Sequence, residues 1–410
     1  MLKRLGVLTT GALLAVAMQF TPASNAAGSI HADPVLGIRL KHPEALHLAQ
    51  DQYLSHNFGF TLMEGKQGGL DAESRMALRV SWMRQHGAGD LQSAAKDLVA
   101  QYPDIAINQK SIAIAGHPAI ALYPVPGMSS ENTYVYVAAN NRLYEVIYGR
   151  GMLDTEGTAL LDSLQFTAPT QSVEALNLVK ADDVISTVPA GAIHDALPKG
   201  PQPEHDHAAG IQHDLDVIEP MAGPGCVDWP TWKAIQTPFA NTANGNGWSN
   251  AGPSFYNEGY HVNCNVAGRL NDYHAIDFRL RTGDIAYSPG AGTVLATGWA
   301  GGGWSTLGRV VIIDLGNGYK SLAAHLSSIN VSPGQAVTIS TVIGYAGGSG
   351  NYSDGFFTPH LHQGIYLNAS VDYGNRGVYS GQSVEPHNVR YYGNGGGYYG
   401  TFYRGQSVSW

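Results

Sequence analysis

The chain has 410 residues, with 23 Lys and Arg against 32 Asp and Glu and a formal net charge of −9. That balance lacks the basic footprint of a nucleic-acid binder, and the length allows two or three domains. The charge is uneven: residues 1–220 carry 14 basic and 23 acidic side chains, residues 221–410 carry 9 of each, so two parts with different work are expected.

Residues 1–27 read as a secretory signal peptide. Lys3 and Arg4 form its charged start, Leu5 to Phe20 an apolar stretch short for a membrane span, and Ser24-Asn25-Ala26-Ala27 the small residues of a cleavage site. The expected product is a secreted, extracellular protein with no membrane segment after signal removal.

Residues 28–170 read as an α+β domain. Leu91, Ala94, Ala95, Leu98 and Val99 follow helical spacing, bounded by Pro103. Ser111–Ala115 and Ala119–Tyr123 are strand-like runs around Gly116-His117-Pro118. Tyr134–Val137 and Leu143–Tyr148 flank Asn140-Asn141 as a hairpin, and Asp154–Leu164 reads as a closing helix. His42, His47, His56, His86 and His117 are scattered and read as surface or satisfied groups. Residues 171–220 are rich in Pro and acidic groups and read as a linker holding a processing site, with Lys199 and the region before Met221 as candidates. His205-Asp206-His207 falls there without strand context and reads as solvated linker.

Residues 221–410 are rich in Gly, Asn, Ser, Tyr and Trp. Strand-like runs are 275–280, 292–297, 309–315, 319–325, 342–346 and 360–367, with Leu315-Gly316-Asn317-Gly318 as a hairpin turn. The pattern is that of a mostly antiparallel β domain with a Gly/Tyr-rich C-terminal tail. The two cysteines, Cys226 and Cys264, read as a disulfide in an exported chain; the competing reading is a pair of thiolate metal ligands.

His360 and His362 stand at i and i+2, so in a strand both imidazoles leave one face while Leu361 and Ile365 anchor the other. Asp277 is flanked by Ile276 and Phe278 on the opposite parity, and His325 ends the run Leu322-Ala323-Ala324. Three histidines and a carboxylate from separate strands are what a zinc ion takes, and a nearby imidazole can move a proton.

With these residues assembled, the segment from about 260 to 370 resembles the zinc endopeptidases of peptidase family M23, the lysostaphin/LytM type. The resemblance rests on Ala275-Ile276-Asp277-Phe278, Gly316-Asn317-Gly318-Tyr319, Ala324-His325-Leu326-Ser327-Ser328, Val331–Val337, Ile343-Gly344 and Thr358-Pro359-His360-Leu361-His362. The precursor layout resembles the staphylolysin and β-lytic subgroup. The resemblance implies one zinc ion held by Asp277, His362 and a further histidine, with His325 and His360 as the catalytic, non-ligating pair. That further histidine is either His261, from an upstream loop beside Cys264, or His274, three before Asp277 and so on the opposite face unless a bulge intervenes; His261 is preferred. Family members often carry a Tyr two before the histidine of the His-Leu motif, here His325-Leu326, where this chain has Ala323. The Gly-rich stretch 347–357 is expected to border the substrate groove.

The resemblance further implies hydrolysis of Gly-containing peptide bonds, as in peptidoglycan cross-links, and an N-terminal pro-domain acting as intramolecular inhibitor or chaperone. A reading from another class is an inactive cell-wall-binding or regulatory module with a degenerate metal site.

Overall fold

The computed structural model describes residues 28–65, 75–128, 131–181, 275, 277, 280–338 and 341–384, and the backbone alone of 74, 226–228, 235–240, 254–256, 276, 278, 385, 389–393, 396–400 and 407–408. The described residues form mostly antiparallel sheets with two α-helices. No described helix is long and apolar enough to cross a membrane.

In the N-terminal half seven strands lie side by side in the order His47–Gln50, Asn57–Gly65, Ser74–Met83, Arg142–Tyr148, Asn132–Ala139, His117–Val125 and Asn108–Ile114, every neighbouring pair antiparallel. The hairpin read from Asn140-Asn141 forms with both residues at positive φ, 50° and 58°, a conformation that asparagine tolerates and a two-residue turn needs. Alternate residues feed two different cores. Val135, Val137, Val146 and Tyr148 pack with Leu160 and Leu161 of the helix Thr155–Asp162. Tyr134, Tyr136 and Ile147 point the other way, with Leu98 of the helix Leu91–Gln101. A sheet covered on both faces needs apolar residues at both parities, hence the unbroken run at Tyr134–Val137.

Asp154 caps the second helix. Its carboxylate accepts from the Gly157 N–H at 2.7 Å and from the Tyr148 hydroxyl at 2.8 Å, and the Gly157 bond holds the carboxyl below its ordinary pKa. Asp154→Ala is expected to cost about 1 kcal/mol, read as a lower urea midpoint at unchanged slope. The packed region runs past residue 171, where the sequence places a linker. Val173 and Ala181 are buried, and Val179–Lys180 pairs in parallel with Tyr53–Leu54.

In the C-terminal half the strands Gly292–Trp299, Arg309–Gly316, Tyr319–Leu326, Leu361–Leu367 and Ile276–Phe278 are neighbours in that order, all antiparallel. The turn at Gly316-Asn317-Gly318 takes positive φ at all three residues. One face of this sheet, with Val311, Ile313, Ala323, Leu361 and Ile365, closes a core within this half. The other, with Val310, Ile312, Leu322, Ala324 and Tyr366, joins one continuous core with Met63, Leu98, Tyr102, Ile120 and Tyr134 of the N-terminal half. Trp304, fully buried, lies in this shared core. Its indole N–H donates to Asp372 at 3.1 Å, and the Tyr102 hydroxyl donates to the same oxygen at 2.5 Å. The Gly303 N–H donates to the Tyr134 hydroxyl at 2.6 Å. Burial pushes both phenols well above their ordinary pKa, so both remain protonated.

Candidate active site

Register places the site on the shared face. Asp277 pairs with His362, and His362 pairs with Ala324. Directly opposed residues of antiparallel strands share a face, so Asp277 and His362 stand on the side of Ala324, toward the N-terminal half. Asp277, His325, His360 and His362 are each fully buried. The His362 Nδ1 and an Asp277 carboxylate oxygen are 2.9 Å apart.

His325 reaches this cluster by a break in the strand. Arg309 pairs with Leu326 and Val311 with Ala323, so Val310 alone stands opposite both Ala324 and His325. The extra residue is a β-bulge, and His325 takes φ of 60°, an uncommon conformation for a residue with a Cβ. Plain alternation would send His325 away from the face of Ala324. The bulge instead sets its ring 4.5 Å from that of His360 and 5.9 Å from that of His362, with Phe357 against it at 4.7 Å.

Backbone carbonyls fix both outer imidazoles. The His325 Nδ1–H donates to the Ser349 carbonyl at 2.9 Å, and the His360 Nδ1–H donates to the Thr358 carbonyl at 2.7 Å. With Nδ1 carrying the proton, each neutral ring presents Nε2 as its basic atom. Two oriented imidazoles beside a carboxylate–imidazole pair can hold, give or take protons around a reacting carbonyl.

The structure thus brings together four of the residues singled out in the sequence: Asp277, His325, His360 and His362. His261, His274 and Cys264 lie outside the described residues, as do the signal segment 1–27 and His205 and His207. Cys226 lies in a strand, Cys226–Asp228, that pairs in parallel with Ser383–Glu385. Among the described residues no group of three His, Cys, Asp or Glu is placed to hold a metal. Two donors of zinc-binding type do converge, the Asp277 carboxylate and His362 Nδ1, in hydrogen-bond contact at 2.9 Å, and they fit such an ion in kind. Ala323, where the family resemblance leads one to expect a Tyr, packs in the core on the far side of the sheet.

Sequence reasoning missed the hairpin tip 350–353. Gly350 and Ser353 exchange both backbone hydrogen bonds, at 3.0 and 2.8 Å, across Asn351 and Tyr352, which have φ of 45° and 55°. The N-terminal half grips this tip. The Tyr352 carbonyl accepts from the Gln52 and Tyr53 N–H groups at 2.9 and 3.0 Å, and the Tyr352 ring lies 5.5 Å from the Arg79 guanidinium carbon. An Asn-Gly pair would have signalled such a turn; Asn-Tyr does not.

A carboxylate–imidazole donor pair flanked by two oriented imidazoles, on one face of an antiparallel sheet, is the equipment of a metal-dependent hydrolase. Residues 271–373 match the model of peptidase family M23, a metallopeptidase family to which this segment of the chain is similar. A Haemophilus influenzae protein described as an "Uncharacterized metalloprotease" is 33% identical over 103 residues, which are 25% of this chain and 20% of its own length. The chain therefore matches about a fifth of that curated relative. Among solved structures, LytU is 26% identical over 27% of this chain and 68% of its own, with a TM-score of 0.21. The catalytic domain of lysostaphin from Staphylococcus simulans is 21% identical over 32% of this chain and 84% of its own, with a TM-score of 0.22.

Proposed function

We propose that the protein is a secreted zinc metalloendopeptidase, made as a precursor, that hydrolyses Gly-containing peptide bonds such as those of peptidoglycan cross-links. The observation that carries this reading is the convergence of His362 Nδ1 and the Asp277 carboxylate beside two histidines whose protons are already placed. Asp277 and His362 would hold the ion together with His261 or His274. Bound zinc supplies an acidified water and a Lewis acid for the scissile carbonyl.

The chain's own residues do the rest. His325 and His360, each with a proton held at Nδ1 by a carbonyl, offer Nε2 to take a proton from the attacking water and return it to the leaving amine. In their protonated form the same rings stabilise developing negative charge on the carbonyl oxygen. The packing of the N-terminal half onto the face that carries these residues supports its role as an intramolecular inhibitor, because a peptide substrate needs that face.

The test is elemental analysis of the purified protein together with cleavage of a Gly-rich peptide, before and after treatment with a chelator. One zinc per chain and cleavage that chelation abolishes and zinc restores are expected. A chain without zinc that still binds cell-wall peptides would establish the binding-module reading instead.

A further inference from the structure

The catalytic reading leaves one group unexplained: Ser349, 1% exposed. Its hydroxyl donates to the Leu326 carbonyl at 2.8 Å and accepts from the Arg309 N–H at 2.9 Å. Its carbonyl accepts from His325 Nδ1–H at 2.9 Å, and its N–H approaches the His325 carbonyl at 3.4 Å. These contacts engage His325, Leu326 and Arg309, the residues at and beside the β-bulge. The Arg309 N–H and Leu326 C=O would normally serve the ladder; Ser349 serves them where the ladder is interrupted. Gly308, at φ of 65°, backs Ser349 so closely that a Cβ there would come within 2.2 Å of the Ser349 carbonyl oxygen, so that oxygen is held on both sides.

We propose that Ser349 is a positioning residue for His325: its hydroxyl staples the bulge that turns the imidazole onto the site face, and its carbonyl holds the Nδ1 proton. The proposal rests on the peptidase reading for its kinetic consequence and on geometry alone for its structural one. A bulge re-aims a side chain only while something fixes its extra residue. In the left-handed region His325 has no intrinsic preference to stay. Without the hydroxyl, the Arg309 and Leu326 groups lose a buried partner, the strand is free to straighten, and His325 Nε2 leaves the reacting centre. Misplacement of a reacting group by about 1 Å costs on the order of 10²-fold in rate.

The experiment uses the full chain labelled with ¹⁵N-histidine. NMR reads the slowly exchanging His325 Nδ1–H, assigned by its loss in His325→Gln. Hydrolysis of a Gly-rich peptide and the unfolding midpoint are measured on the same samples. In Ser349→Ala the resonance should vanish or broaden and kcat fall about 10²-fold, with KM within about twofold, while Ser349→Thr, which keeps the hydroxyl, restores both. If Ser349→Ala fails to fold, Ser349→Cys, close in volume and a weak donor, takes its place. An unchanged resonance in the folded variant overturns the proposal, as does an equal loss of kcat in Ser349→Thr. If the wild type cleaves nothing even after the N-terminal half has been digested away, while the resonance is still lost in Ser349→Ala of the full chain, the positioning role stands and the peptidase reading falls.

Discussion

His362→Ala should abolish both zinc content and peptide cleavage. On the proposed function His362 is one of three protein ligands, and losing the several kcal/mol of charge stabilisation that a metal provides corresponds to about 10³-fold or more in kcat/KM. Asp277→Ala should behave alike. His325→Gln and His360→Gln should keep zinc and lose about 10² to 10⁴-fold in kcat, the usual contribution of a positioned acid or base. Elemental analysis beside kinetics separates the pairs. If zinc leaves with His360 or stays without His362, the division into holding and proton-moving residues is wrong.

The largest stability effect should come from far outside the site. Arg79→Met removes the partner of Asp51, two side chains that are 1% and 0% exposed and joined by a bidentate ion pair at 2.9 and 2.7 Å. Burial pushes the Asp51 carboxyl up, against the guanidinium. Leaving this carboxylate alone in the interior should cost about 3–5 kcal/mol, whereas Asp51→Leu with Arg79→Met together should cost far less. The comparison is made by chemical denaturation. Arg79 also lies over Tyr352 at the gripped hairpin tip. The single variant should therefore cleave a Gly-rich peptide faster than wild type while being less stable. A rate that stays level or drops would mean that the N-terminal half does not hold the site closed.

Much of this was readable from the sequence. The Gly-Asn-Gly and Asn-Asn turns, the closing helix and the strand that carries His362 follow from local chemistry and form where the pattern places them, whereas His360 stands one residue ahead of that strand, bridged to Gly347. The orientation of His325 was not readable. Alternation assigns it to the wrong face, and nothing in Ala323-Ala324-His325-Leu326 announces a bulge, because its support comes from Ser349, 24 residues away. The docking of the halves was equally hidden. The break in charge near residue 220 suggested separate parts, yet residues that pack across the boundary, such as Tyr134 and Leu322, look in the sequence like ordinary core. The apolar run at Tyr134–Val137 said that both faces were covered without saying by what.

If the N-terminal half is the inhibitor proposed above, the shared core has a consequence for activation. The contact between the halves is built like an interior, with a fully buried tryptophan and buried tyrosine–carboxylate bonds. Severing the backbone between the halves would leave every one of these contacts in place. The nicked molecule would be a tight two-chain complex with its site still closed, and its lag before activity would be a residence time rather than a cleavage rate. A protease that merely cuts between the halves would therefore be a poor activator. One that goes on to digest the N-terminal fragment would remove the complex by mass action.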